Sequence, residues 1–127
     1  MPSPDLPRVL VADDSEANRL TLKLELVDQG FAVDEAADGA EAIDKIAAGR
    51  FAAVVTDVWM PNADGIAVVQ AIHKADAGVP IFVITGGGPG MSIASAATLA
   101  QVWGAQRVYV KPFDVRDLVA DIKAVLA

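Results

Sequence analysis

The sequence has no cysteine among its 127 residues. This absence excludes a disulfide framework, a thiolate nucleophile and a zinc site built from thiolates, and it agrees with a reducing compartment. Residues 1–7 include three prolines but no apolar stretch, so no signal peptide is predicted there. The longest uninterrupted apolar run, Phe51–Val55, is far too short to cross a bilayer. We therefore expect a soluble, cytoplasmic protein with no membrane partner.

Basic residues are scarce, with 10 lysines and arginines against 17 aspartates and glutamates and a net charge of −7. No run of basic residues exists, so we expect no binding to nucleic acid or to an anionic lipid surface. By contrast, 54% of the residues are hydrophobic, which excludes intrinsic disorder. The length fits one domain. We expect a flexible tail at residues 1–7 and a single domain over residues 8–127.

Short, continuous apolar runs recur along the chain. Such runs are typical of strands that are covered on both faces, as in a parallel sheet. A fifth run alternates between apolar and polar residues and is predicted to be an edge strand. The four buried strands and then the edge strand are predicted at Val9–Ala12, Phe51–Val55, Ile81–Ile84, Val108–Val110 and Phe31–Glu35.

Helical periods separate these strands, and each begins near a residue that can accept hydrogen bonds from a first helical turn. The predicted N-caps are Ser15, Asp38, Asp64, Ser92 and Asp114. In the first helix, spacings of three and four residues predict an apolar face formed by Ala17, Leu20, Leu24 and Val27. Five strands alternating with five helices predict an α/β domain with a doubly wound parallel sheet.

Polar residues stand where the buried strands end. In open α/β sheets ligands bind beyond the carboxyl ends of the strands, so we expect these side chains to converge in one cleft. Taken singly, each is more simply a helix cap, a loop residue or a solvated lysine, but the joint pattern favours a functional site. The residues are Asp13 and Asp14 after the first strand, Asp57 after the third, Thr85 after the fourth and Lys111 after the fifth.

Several of these residues lie in short motifs: Asp13-Asp14, Asp57 followed by Met60-Pro61 and Asp64-Gly65, Thr85, and Lys111-Pro112-Phe113. In combination, these motifs resemble the receiver domain of two-component response regulators. The resemblance covers Arg8 to Leu126. It implies a flavodoxin-like fold with five helices and strand order 2-1-3-4-5, as in the chemotaxis receiver. A stand-alone receiver and a receiver that is part of a larger kinase or regulator both stay open.

The resemblance also implies a function. Asp57 would accept a phosphoryl group from a histidine kinase or a histidine phosphotransfer protein, and Thr85 and Lys111 would contact the phosphoryl oxygens. The chain would be a signalling module rather than a turnover enzyme, contributing catalytic groups only to its own phosphorylation and dephosphorylation. Its output would pass through contacts with a protein target that the sequence does not identify.

A carboxylate that attacks a phosphoryl group must overcome the repulsion between anions, which is roughly 4 kcal/mol for a pair at 4 Å and an effective dielectric constant near 20. Mg²⁺ offsets this repulsion and prefers oxygen ligands, commonly one or two carboxylates and a phosphate oxygen. Asp14 and Asp57 are the candidate direct ligands, with Asp13 binding directly or through a water molecule. The resemblance adds the backbone carbonyl of Trp59.

Val108 occupies the place where many receivers carry an aromatic residue, and Tyr109 is expected to point to the opposite face of the strand.

Two other functions of similar folds stay open. A flavin-binding electron carrier would need a Ser/Thr-rich loop after the first strand, where this chain has two aspartates. A Mg²⁺-dependent phosphatase with an aspartate nucleophile usually has two aspartates separated by one residue, whereas Asp13 and Asp14 are adjacent.

Overall fold

The computed structural model describes residues 6–58, 65–75, 78–86, 98, 101, 102 and 104–127. Its strands are β1 (Arg8–Ala12), β2 (Ala32–Ala36), β3 (Ala53–Asp57), β4 (Ile81–Thr85) and β5 (Arg107–Val110). They form one sheet in the order β2-β1-β3-β4-β5, and every neighbouring pair is parallel. The doubly wound fold and the strand order expected from the sequence are confirmed.

Helices lie on both faces of the sheet. Those described are α1 (Glu16–Asp28), α2 (Gly39–Ala48), α3 (Gly65–Ala75) and α4 (Val115–Leu126). The described residues therefore contain four helices where five were expected. The remaining predicted helix, from Ser92 to Trp103, falls outside them except at Thr98, Gln101 and Val102, where the backbone is helical. No helix in the described part of the chain is long and apolar enough to cross a membrane.

The N-caps predicted for α1, α2 and α4 are confirmed. Ser15, Asp38 and Asp114 each accept a hydrogen bond from a backbone N–H two or three residues later. Each cap satisfies a donor that has no partner within its helix. Asp64, the predicted cap of α3, lies outside the described residues. The division into a tail at residues 1–7 and a domain over residues 8–127 stays a prediction.

The two faces of the sheet carry separate apolar cores. One core, which joins the sheet to α2 and α3, includes Leu10, Ala12, Val54, Val83, Ile46 and Ile72. The other, which joins the sheet to α1 and α4, includes Val9, Val11, Val55, Phe82, Leu26 and Ile122. Every residue of β3 and β4 is buried, whereas β2 buries only Ala36, as expected of an edge strand. The prediction of a buried strand at Val108–Val110 is wrong, because β5 forms the other edge of the sheet and none of its residues is fully buried.

β3 begins two residues later than predicted. Phe51 and Ala52, the start of the predicted run, are only half-buried and precede the strand. The reason is the register with β1, whose Val9 lies opposite Ala53. The strand also ends two residues later than predicted, at Asp57.

The predicted apolar face of α1 is wrong. Leu20, Leu24 and Val27 are 53%, 62% and 53% exposed, and the helix instead buries Leu22 and Leu26 in the core. Leucine stands at every second position from 20 to 26, so two faces of the helix are apolar. Helical spacing alone does not choose between two such faces.

Leu22→Ala should lower the free energy of unfolding by about 2–5 kcal/mol, because it leaves a cavity in a packed core. Leu24→Ala is the same change on the exposed face of the same helix, and it should alter stability by less than about 0.5 kcal/mol. Urea unfolding followed by circular dichroism measures both. Equal destabilisation by the two substitutions would contradict the orientation of α1.

Candidate functional site

The register of the sheet brings the ends of β1 and β3 side by side. Ala12 lies opposite Thr56, so Asp13 and Asp57 follow next to each other at the carboxyl edge. One carboxylate oxygen from each of Asp13, Asp14 and Asp57 lies within 4.8 Å of the others. Asp13 and Asp57 are buried, at 0% and 5% exposure, and Asp14 is exposed. The cluster therefore opens to solvent on the side of Asp14.

Lys111 brings a positive charge to this cluster from the end of β5. Its Nζ donates to Asp57 Oδ2 at 2.7 Å and lies 4.0 Å from Asp13 Oδ2. Its backbone N–H donates to the carbonyl oxygen of Thr85 at 2.9 Å, and Thr85 is buried at the end of β4. The fold thus places every predicted site residue at one edge of the sheet except Trp59, which lies outside the described residues.

Asp13 is held by hydrogen bonds at all of its polar groups. Its backbone N–H donates to the carbonyl oxygen of Ala36 at 3.1 Å. Its Oδ1 accepts from the Ser15 N–H at 2.8 Å, and its Oδ2 accepts from Asn18 Nδ2 at 3.4 Å. Its carbonyl oxygen accepts from Arg19 Nη1 at 2.7 Å. The position of this buried carboxylate is therefore fixed by β2 and by the start of α1.

The electrostatics of the site are unbalanced toward negative charge. Burial raises the pKa of the Asp13 carboxyl, and the charges of Asp57 and Asp14 act in the same direction. The Ser15 N–H and the Lys111 ammonium oppose this rise without cancelling it. Burial alone would lower the pKa of Lys111, but its hydrogen bond and charge interaction with Asp57 outweigh burial, so its pKa is raised. Lys111 is therefore a cation at neutral pH.

The donor set of this cluster fits Mg²⁺. Its three side chains offer carboxylate oxygens, which Mg²⁺ prefers, and not the nitrogen or sulfur ligands that favour softer metals. The exposed position of Asp14 leaves room for the water molecules that Mg²⁺ retains when it binds to a protein. Asp13, Asp14 and Asp57 are the residues that would hold such an ion.

Sequence reasoning missed the side chains that hold Asp13. Asn18 and Arg19 lie in the first turns of α1, and both donate to Asp13. Arg19 also pairs with Glu35 in β2, with 3.5 Å between Nε and Oε1. Polar residues near the start of a helix are common on solvated faces, so their presence in the sequence does not indicate a contact with Asp13. Asn18 and Arg19 can hold Asp13 because the chain turns at Ser15, which brings the start of α1 back to the end of β1.

Tyr109 lies on the face of β5 opposite to Val108, as expected. Val108 packs with the core that includes α2 and α3, whereas Tyr109 packs with the core that includes α1 and α4. The Tyr109 hydroxyl donates to Asp121 in α4, and its ring centroid lies 5.8 Å from that of Phe113. Burial and the interaction with Asp121 both raise the pKa of Tyr109. Tyr109 is therefore tied to α4.

Residues 9–123 match the family model of the response regulator receiver domain. The chain belongs to this family. Response regulators take phosphoryl groups from histidine kinases in two-component signalling, so family membership places this receiver among signalling modules rather than classical enzymes.

Solved receiver structures share the fold over nearly the whole chain. A CheY-like receiver domain protein from Methanospirillum hungatei is 29% identical, with a TM-score of 0.86 over 96% of this chain and 94% of that one. The response regulator TrrA from Thermotoga maritima, crystallised in complex with Mg²⁺–BeF, is 30% identical, with a TM-score of 0.80 over 96% of this chain and 100% of TrrA.

Among curated proteins, the response regulator MprA from Mycolicibacterium vanbaalenii is 37% identical over 119 residues, which are 94% of this chain and 50% of MprA. The chain therefore spans about half the length of the curated relatives it matches.

Asp13→Asn should raise the free energy of unfolding of this receiver at neutral pH in EDTA. Because burial raises the pKa of Asp13, its ionisation disfavours the folded state, and this cost appears as the pH rises from the pKa of the unfolded chain through the higher pKa of the folded state. Asparagine keeps an oxygen for the Ser15 N–H but carries no charge. Urea unfolding at neutral pH and near pH 3 measures the effect.

The gain from Asp13→Asn should shrink near pH 3, where the parent carboxyl is itself protonated. Asp14→Asn is the matched control. Because Asp14 is exposed, its charge keeps more of its hydration in the folded state, so this substitution should raise the free energy of unfolding by less. A lower stability of Asp13→Asn than of the parent at neutral pH would contradict this account.

Proposed function

We propose that this chain is a phosphorylation-controlled signalling receiver in which Asp57 takes a phosphoryl group from a histidine kinase or a histidine phosphotransfer protein. The observation that carries the proposal is the cluster of Asp13, Asp14 and Asp57, with Lys111 bound to Asp57, in a chain of the receiver family. The family match also favours this function over a flavin carrier or a phosphatase of similar fold.

In the proposed reaction, a carboxylate oxygen of Asp57 attacks the phosphorus of a phosphohistidine. A P–O bond forms while the P–N bond breaks, and the electron pair of that bond leaves with the imidazole nitrogen. Phosphoryl transfer depends mainly on positioning and on charge neutralisation. The burial of Asp57 at the end of β3 supports the first requirement, because a side chain in a packed strand end has few orientations open to it.

Charge neutralisation is assigned to Lys111, and a supporting hydrogen bond is assigned to Thr85. Lys111 Nζ lies 2.7 Å from Asp57 Oδ2, so a small movement brings it onto a phosphoryl oxygen attached to Asp57. The Thr85 hydroxyl is assigned to a second phosphoryl oxygen. The hydrogen bond from the Lys111 N–H to the Thr85 carbonyl supports a joint role, because it keeps the two residues next to each other at the carboxyl edge of the sheet.

Mg²⁺ is the proposed cofactor, and when bound it supplies positive charge between the carboxylates and the phosphoryl oxygens. Asp14 and Asp57 would bind it directly, Asp13 directly or through water, and the Trp59 carbonyl is assigned from the family resemblance. The complex of TrrA with Mg²⁺–BeF supports this assignment through a relative that is 30% identical.

The proposed output is a contact with a protein target in the cytoplasm. The net charge of −7 offers no general attraction to nucleic acid or to anionic lipid, so we assign neither as a partner of this domain. The receiver's own groups would serve its phosphorylation and dephosphorylation rather than the turnover of a separate substrate. Because the curated relatives are about twice as long, the assignment concerns the receiver domain only.

Incubation with acetyl phosphate and Mg²⁺ should add the mass of one phosphoryl group to the intact chain. Asp57→Asn should abolish this addition, since it removes the anionic nucleophile while keeping the shape of the side chain. Asp34→Asn is the control, because it removes a carboxylate of β2 that lies outside the cluster. Intact-protein mass spectrometry measures all three.

Three results would contradict the proposal. Labelling that survives in Asp57→Asn would place the phosphoryl group elsewhere. Continuous release of phosphate over many equivalents would favour the phosphatase. A yellow preparation with a flavin spectrum would favour the electron carrier.

Mg²⁺ without phosphate should raise the melting temperature of the parent. A ligand that binds only the folded state stabilises it by about 2.7 kcal/mol at a hundredfold excess over its dissociation constant. Asp14→Ala should abolish the shift, because it removes the exposed ligand of the cluster. Thermal melts in MgCl₂ and in EDTA measure the effect, and superimposed curves for the parent would refute the metal site.

A further inference from the structure

Arg19 links the site to the neighbouring strand through a side chain that is only 14% exposed. Its Nη1 donates to the carbonyl oxygen of Asp13 at 2.7 Å, and its Nε lies 3.5 Å from Glu35 Oε1. A planar guanidinium that is held at two points has a defined orientation. The Asp13 carbonyl belongs to the peptide bond that leads into Asp14, so Arg19 holds that peptide in place.

The orientation of the Asp14 side chain depends on this peptide, because few other groups restrain it. Its carboxylate is exposed, and no donor among the described residues forms a hydrogen bond with it. The Asp13 carboxylate, in contrast, accepts hydrogen bonds from Ser15 and Asn18. The direction in which Asp14 extends into the cluster is therefore set by its own backbone.

We propose that Arg19 is a positioning residue for the metal site, which acts by holding the Asp13–Asp14 peptide in the orientation that directs Asp14 toward the cation. This inference rests on the Mg²⁺ site of the proposed function. Groups that orient metal ligands from the second layer typically change metal affinity by about 10- to 100-fold when they are removed. Arg19 fits this description, since it bonds a ligand's backbone and is itself oriented by Glu35.

The charge of Arg19 and its positioning role have opposite effects on Mg²⁺ affinity. A guanidinium near the carboxylates repels a divalent cation, so the loss of its charge alone would tighten binding. The loss of its positioning would weaken binding. Lys23 provides the matched control, because it lies on the same helix and its Nζ pairs with the other oxygen of Glu35 at 3.5 Å rather than with Asp13.

Isothermal titration with MgCl₂ at constant ionic strength compares the parent with Arg19→Gln, Arg19→Lys and Lys23→Gln. Both Arg19 variants should raise the dissociation constant by about 10- to 100-fold. Lys23→Gln should leave it unchanged or slightly lower. At saturating Mg²⁺, the rate of phosphorylation of Arg19→Gln by acetyl phosphate should return to that of the parent, since Arg19 does not contact the phosphoryl group.

The outcomes separate this inference from the function on which it rests. If the parent does not bind Mg²⁺, the metal site of the proposed function fails. If the parent binds but Arg19→Gln binds as tightly as Lys23→Gln, only the positioning role is overturned.

Circular dichroism and unfolding in EDTA verify that each variant is folded. If Arg19→Gln does not fold, Arg19→Lys and Glu35→Ala become the test, because each removes one of the two contacts that orient the guanidinium. Weaker Mg²⁺ binding in both variants supports the inference. An unchanged dissociation constant in both overturns it.

Discussion

Repulsion among three carboxylates is the constraint on which the site depends. Asp13 and Asp57 are almost inaccessible to solvent. In such a buried environment, like charges repel each other more strongly than they do in water. Lys111 offsets part of this repulsion from 2.7 Å, and hydrogen-bond donors offset another part at Asp13. The pKa of Asp13 nevertheless remains raised, first by burial and then by the charges of Asp57 and Asp14. A cluster of carboxylates that is both buried and mutually repelling gains free energy by binding a cation, which is the physical basis of the proposed Mg²⁺ site.

The parallel sheet produces this repulsion through its topology. All strands point the same way, so their carboxyl ends share one edge. Because β3 lies between β1 and β4, Asp57 stands between Asp13 on one side and Thr85 on the other. β5 lies next to β4, and the chain leaving it carries Lys111 back across Thr85 to Asp57. A different strand order would separate the charges that have to be close.

The same topology explains which features could be predicted from the sequence. In a parallel sheet, every residue that follows a strand lies at the same edge of the sheet. Asp57 could therefore be located from the sequence even though β3 begins two residues later than predicted. The orientation of α1 could not be predicted in this way. Leu22 and Leu24 differ by two positions and each belongs to a plausible apolar face, so helical spacing does not tell which of them is buried.

The hydrogen bond from Arg19 to Asp13 escaped prediction because it joins residues six positions apart across a helix cap, where no spacing rule applies. It shows that α1 has two tasks. Leu22 and Leu26 hold the helix against the sheet, and the turns before them hold Asp13. Because interiors are close-packed, a shift of the buried face also shifts the polar one. The geometry of the carboxylate cluster therefore depends on apolar packing one turn away, and the exposed face at Leu24 contributes to neither task.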